Sequence, residues 1–214
     1  MRRVLTGLGF AVMAAALVAC SGGHRKERQQ QERAEPIPPP ACAVDPRQFA
    51  EAEYVGNFGS SSGCGVRNAW KLYSVNGVKL NPPAVVNCAT ANTFSQWISR
   101  SLQPAAQDHF GMQVTALGIP SAYACRTRNN VRGAKLSEHA HGNALDVSAF
   151  TFESGDKVTV EQAGFPSRRL KAFIAQIRAA CGPFKTVLGP GVAYHKDHLH
   201  FDLQRHRNGG TYCR

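Results

Sequence analysis

Two histidine-bearing segments, residues 137–146 and 195–202, constrain the fold more than anything else in the chain, because their chemistry is useful only if they meet. Together they hold five of the eight histidines. In the first, His139 and Asp146 stand seven positions apart, with Gly142 between them to let the backbone turn. In the second, His198, His200 and Asp202 share one face if the segment is a strand, since strand side chains alternate with period two. Side by side, the segments bring two imidazoles and a carboxylate to one point. That is the ligand set of a catalytic zinc site, which keeps three protein ligands and leaves one position open. The residues therefore predict a metal-dependent hydrolase. Spacing does not decide between His200 as ligand with His198 facing the open position and the reverse; the first arrangement is preferred. His141 is out of register with Asp146 and is expected to face away. Asp202 either orients an imidazole or is a plain surface carboxylate.

The N-terminus sets the compartment. Met1-Arg2-Arg3 is a short basic start, and residues 4–17 form an apolar run too short to span a bilayer with ordinary flanks. The run ends in Leu17-Val18-Ala19-Cys20, the pattern of a bacterial lipobox, in which the cysteine is lipidated and becomes the mature N-terminus. Residues 1–19 are thus expected to be a lipoprotein signal peptide and Cys20 the lipidation site. Ser21, rather than Asp, after the cysteine points to the periplasmic face of the outer membrane. Residues 20–41 are polar and end in Pro36-Ile37-Pro38-Pro39-Pro40, a stretch with too little apolar surface to fold alone and stiffened by proline into a spacer. The folded domain is expected over 42–214.

Without Cys20, six cysteines remain: Cys42, Cys64, Cys88, Cys125, Cys181 and Cys213. An even number in an exported protein reads as three disulfides, and no Cys-x2-Cys pair suggests a cysteine zinc site. The simplest pairing is sequential: Cys42–Cys64, Cys88–Cys125 and Cys181–Cys213. The chain of 214 residues, 43% hydrophobic, suffices for one core. Its net charge of +11 favours anionic partners. The Lys and Arg residues are scattered without an aromatic-interleaved stripe, so nucleic acid is not the expected partner.

Residues 56–65, rich in Gly and Ser, read as a loop. Phe94, Trp97, Ile98 and Leu102 recur at helical spacing and predict a helix over 88–102, which Pro104 breaks or kinks. Strands are predicted over 113–119, 122–125, 143–150, 157–160, 184–188 and 199–203, with a turn at Ser154-Gly155-Asp156. A second amphipathic helix spans 167–181, with Ser167 as N-cap and Leu170, Phe173, Ile174 and Ile177 on one face. This mixed order favours an α+β fold, a small, mostly antiparallel central sheet flanked by helices and braced by disulfides.

Several separated motifs carry a family resemblance: Gly63-Cys64-Gly65, Asn81-Pro82-Pro83, Tyr123-Ala124-Cys125-Arg126, Ser137-Glu138-His139 and Asp197-His198-Leu199-His200-Phe201-Asp202. In this order they resemble the bacterial extensin-like C-terminal domain family. The two histidine segments are also similar to the superfamily of lysostaphin-type peptidases, D-alanyl-D-alanine metallopeptidases and the hedgehog N-terminal domain. His195, His198 and His200 repeat the His-x-x-His-x-His spacing of penicillin-insensitive murein endopeptidases. The resemblance implies His139, Asp146 and His200 as zinc ligands. It further implies a D,D-endopeptidase or carboxypeptidase acting on peptidoglycan stem peptides. His198 is the first choice of general base and Asp197 the second, at a position where related dipeptidases carry Glu. Strand alternation points Asp197 away from the metal. Arg126 matches an arginine that steadies an oxyanion or a substrate carboxylate, with Arg128 as its competitor. Ser137 could bind a substrate terminus or simply cap a turn.

Three other classes fit the residues less well. A wall-binding lipoprotein could keep the zinc for stability alone. The metallo-β-lactamase signature would continue with a His where this chain has Leu203. A Ser137/His139 nucleophile pair fails because residues two apart could not easily face each other, and no strand-to-helix nucleophile turn is present.

Overall fold

The computed structural model describes residues 42–214 apart from Phe165, Pro166, Ala180 and Gly182. The expected signal peptide, the lipidated Cys20 and the proline spacer lie outside the described residues.

Three antiparallel strands open the domain, β1 (Ala52–Gly59), β2 (Gly65–Val75) and β3 (Val78–Asn87). The β2–β3 turn is Asn76-Gly77, both at positive φ, the conformation a two-residue hairpin requires. Residues 56–59, expected in a loop, belong to β1. Its pairing with β2 shifts register on both sides of Gly56, so glycine here marks irregular edge pairing instead of a break.

A continuous helical segment follows: α1 (Cys88–Trp97), a π-helical turn (Ile98–Leu102) and α2 (Gln103–Phe110). Asn87 caps α1 by accepting from the Thr90 N–H at 2.8 Å. Pro104 does not break the helix, one of the two outcomes expected of it. It sits in the first turn of α2, where the preceding π-turn has already altered the bonding ladder and an amide N–H is dispensable.

Next come β4 (Val114–Gly118), β5 (Ala144–Val147), β6 (Ala149–Phe152), β7 (Lys157–Thr159), α3 (Arg168–Ala179), β8 (Thr186–Leu188), β9 (Leu199–Asp202) and β10 (Tyr212–Cys213). The Ser167 hydroxyl accepts from the Leu170 N–H at 3.2 Å at the head of α3, as expected. The strands form two sheets, ordered β1-β2-β3-β4-β6-β7 and β10-β8-β9-β5, antiparallel except for β3/β4 and β10/β8. The α+β class and mostly antiparallel pairing agree with the sequence reading. The single small sheet is corrected to two. The strand expected over 143–150 is two strands, because the chain passes from one sheet to the other at Ser148, whose N–H bonds the Gly118 carbonyl. Residues 122–125 form no strand; their backbone bonds to Val85 and His139 instead.

The disulfides are Cys42–Cys88, Cys64–Cys125 and Cys181–Cys213. Only the last follows the sequential pairing. The β1–β2 turn lays Cys64 against the segment before Arg126, while Cys88 heads α1 beside the start of the domain; sequential order carries no knowledge of these approaches.

Strand alternation then sets the site. On β9, Phe201 enters the core against Trp97, Phe184 and Phe94, with ring centroids 4.6, 5.1 and 6.5 Å away. On β5, Leu145 and Val147 do the same. The intervening residues Asp146, His200 and Asp202 face away from those aromatics.

Candidate metal centre

β5 and β9 pair antiparallel with Asp146 directly opposite His200, so the two side chains lie on one face at the closest spacing a sheet provides. His139 arrives from a short 3-10 turn, Glu138–His141. The Ser137 hydroxyl accepts from the His139 N–H at 3.4 Å, and Gly142 closes the turn at φ +60°. Gly142 is required twice over. Its conformation is left-handed, and a Cβ there would lie 2.7 Å from a Val66 methyl and 3.0 Å from the Asn87 nitrogen.

The three donors converge. His139 Nε2 lies 3.2 Å from His200 Nδ1 and 3.3 Å from Asp146 Oδ1, and His200 Nδ1 lies 2.9 Å from Asp146 Oδ1. Ligand atoms bound at about 2.0–2.1 Å to one tetrahedral ion stand about 3.3 Å apart, so this triangle is nearly of the right size. The outer ring nitrogens are already committed. His139 Nδ1–H donates to the Ala122 carbonyl at 2.6 Å, which leaves its Nε2 as a lone pair. His200 Nε2 lies 3.0 Å from Asp202 Oδ2. A lone pair, a carboxylate oxygen and His200 Nδ1 thus face one another in a buried place, and a cation satisfies all three at once. His139, Asp146 and His200 are a group that could hold a metal ion.

Protonation is coupled to that geometry. Burial alone would lower the His200 pKa, but hydrogen bonds to Asp146 and Asp202 outweigh it and raise it to about 9. Burial opposes ionisation of Asp146, yet the His139 and His200 imidazoles packed against it hold its carboxyl well below the usual range. Asp202 is likewise lowered, the His200 bond overcoming burial.

This group forms part of the floor of an open cleft of about 830 Å³. His198 stands just before β9 with Nε2 3.9 Å from Asp146 Oδ2, and its Nδ1–H donates to Asp197 Oδ1 at 2.9 Å. Asp197, the second choice of base, does not line the cleft; its side chain is 55% exposed and holds the His198 ring from the side away from the donors. Arg126 lines the cleft half-buried, with no side-chain ion pair or hydrogen bond among the described residues. The Cys64–Cys125 bridge and the Ser137 N–H on its carbonyl fix its backbone, in place of the strand end expected there. Arg128 is exposed and pairs with Glu138 at 3.5 Å, so its charge is partly spent. Ser137 lines the cleft but is buried and used as the cap of the His139 turn. His141 is exposed, as its register predicted.

Sequence reasoning missed the Ala122 carbonyl, which a backbone group advertises by no residue type. It also passed over Tyr194, which lines the cleft mouth 71% exposed at φ +67°, an unusual conformation for a bulky residue. The glycine-proline turn just before it was the available signal.

Fold and site together define a disulfide-braced α+β domain with a buried His-Asp-His donor group opening onto a polar cleft. The chain belongs to the extensin-like protein C-terminus family, whose sequence profile matches residues 41–214. Comparison with curated proteins and with solved structures finds no match.

Proposed function

We propose that this is a zinc-dependent peptidoglycan peptidase, a D,D-endopeptidase or carboxypeptidase that hydrolyses amide bonds of wall stem peptides. The observation that carries the reading is the three-donor triangle with its outer ring nitrogens already bonded, set in the floor of an open cleft of about 830 Å³. The resemblance of the two histidine segments to those of lysostaphin-type and D-alanyl-D-alanine metallopeptidases favours the reaction class. Two imidazoles and a carboxylate suit zinc. Zinc held there would polarise the scissile carbonyl and make water acidic enough to attack near neutral pH.

The remaining work falls to the chain. His198 Nε2, next to the donor group, takes a proton from the attacking water and returns it to the leaving amine. Asp197 keeps that ring in the tautomer whose lone pair faces the cleft. Arg126 offers a guanidinium with no ion-pair partner among the described residues to the oxyanion or to a substrate carboxylate. A net charge of +11 suits a polymer bearing free carboxylates. The lipobox and spacer would tether the domain by Cys20 to the periplasmic face of the outer membrane, within reach of the wall. Among the described residues no helix is long and apolar enough to cross a membrane.

The test is the full-length protein in detergent on isolated sacculi, with zinc or with chelator. New muropeptides should appear only with zinc. His198→Ala should lower turnover by roughly 10²–10⁴-fold while the zinc bound at the buried donor group is retained. No muropeptide change in a zinc-loaded protein would leave instead a wall-binding lipoprotein that uses the metal for stability, to which His198→Ala would make no difference.

A further inference from the structure

We propose that the cleft contains a second, weaker divalent-cation position, built from His195, His198 and the outer oxygen of Asp146. His195 Nδ1–H donates to the Ala193 carbonyl at 2.7 Å, so its Nε2 is left as a lone pair. The His198 ring is fixed in the same sense by Asp197, and its Nε2 stands 3.9 Å from Asp146 Oδ2. Each ring is thus oriented by a bond through Nδ1 with its other nitrogen uncommitted, and both rings line the cleft.

Their separation is the informative number. The ring centroids of His195 and His198 are 5.1 Å apart, against 5.0 Å for His139 and His200, the two imidazoles of the buried group. Two imidazoles bound to one tetrahedral ion at about 2.0–2.1 Å place their centroids about 5 Å apart. Asp146 connects the two places: Oδ1 belongs to the buried triangle and Oδ2 looks towards His198. A carboxylate shared in this way suits two ions about 3.5–4 Å apart. The second place is the weaker, because its imidazoles are only half-buried and its carboxylate is shared. Imidazole nitrogens with one carboxylate oxygen select zinc and similar first-row ions over calcium or magnesium.

One consequence rests on the proposed peptidase reading: an ion at this place occupies the lone pair that His198 needs as a base, so zinc beyond one equivalent inhibits. Zinc alone, titrated by equilibrium dialysis into the metal-stripped full-length protein in detergent, tests the position without reference to activity. Two zinc ions should bind per chain, the second at least tenfold more weakly, and His195→Ala should remove the second event only. Saturation at one ion up to millimolar zinc, or a second ion that persists in His195→Ala, overturns the inference and leaves the peptidase reading intact. Sacculus hydrolysis by the wild-type protein should rise with the first equivalent and fall with the second; a plateau through the second binding event overturns the inhibitory role.

Discussion

Between Asp146 and Asp202, each ring nitrogen of His200 meets a carboxylate, so the metal-free centre retains a proton that a metal must displace. The sign of the pH dependence follows. With a folded pKa of about 9 against an ordinary 6.5, the stability contributed by that proton is complete below pH 6.5 and lost as pH rises through 9. Asp146 and Asp202, both lowered, contribute stability that is present above the ordinary carboxylate pKa and lost in acid. Thermal melts of the chelated protein should therefore show a falling midpoint from pH 6.5 to 9, and the stabilisation by added zinc should grow over the same interval. A chelated midpoint that rises across that interval would contradict the assignment. Asp197 makes a different claim. Its carboxyl is lowered chiefly by the His198 hydrogen bond, and it touches no other part of the centre. Asp197→Asn should cost about 10–100-fold in turnover with zinc content unchanged, and Asp197→Glu should restore part of it. Equal losses in both variants would point to a merely local structural role.

At the scale of elements, the centre is a junction of one strand pair and one turn. The β5/β9 register delivers Asp146 and His200 with no further instruction, because residues directly opposite in an antiparallel pair share a face. His139 depends on something more fragile, a single turn of 3-10 helix wedged against β2 and the head of α1. The Gly142 carbonyl accepts from the Asn87 N–H at 2.7 Å, so the turn and the cap of α1 are one structure. Gly142→Ala combines a left-handed strain with a collision against Val66. We expect about 2–4 kcal/mol of destabilisation in chemical denaturation and weaker zinc binding in the fraction that folds. A variant with wild-type denaturation midpoint would show that the turn has room to relax.

For the whole molecule, the disulfides do more than add stability. Closing loops with sequence separations of 46, 61 and 32 residues contributes about 4 kcal/mol each in the chain-entropy account. That is a large share of the roughly 5–15 kcal/mol by which domains are stable. Cys64–Cys125 also anchors the segment from which Arg126 enters the cleft. The paired change Cys64→Ser with Cys125→Ser should lower denaturation stability by about 4 kcal/mol and raise KM on sacculi more than it lowers zinc affinity, since none of the three donors lies on that segment. A loss confined to zinc affinity would contradict this division of labour.

Local patterns were enough to determine a good deal. Leu170, Phe173, Ile174 and Ile177 announced α3 by their spacing, and the alternation of His200 and Asp202 with Phe201 separated cleft from core on β9, because periodicity is a property of neighbouring residues. The two segments that carry His139, Asp146 and His200 were legible for the same reason, as short motifs with fixed internal spacing, although spacing left His198 and His200 interchangeable as donors. Tertiary structure alone decided which cysteines meet, that residues 143–150 divide between two sheets at Ser148, and that the Ala122 carbonyl orients His139. Each of these is a contact or a direction imposed by segments distant in the chain, and no local spacing records where such a segment will pack.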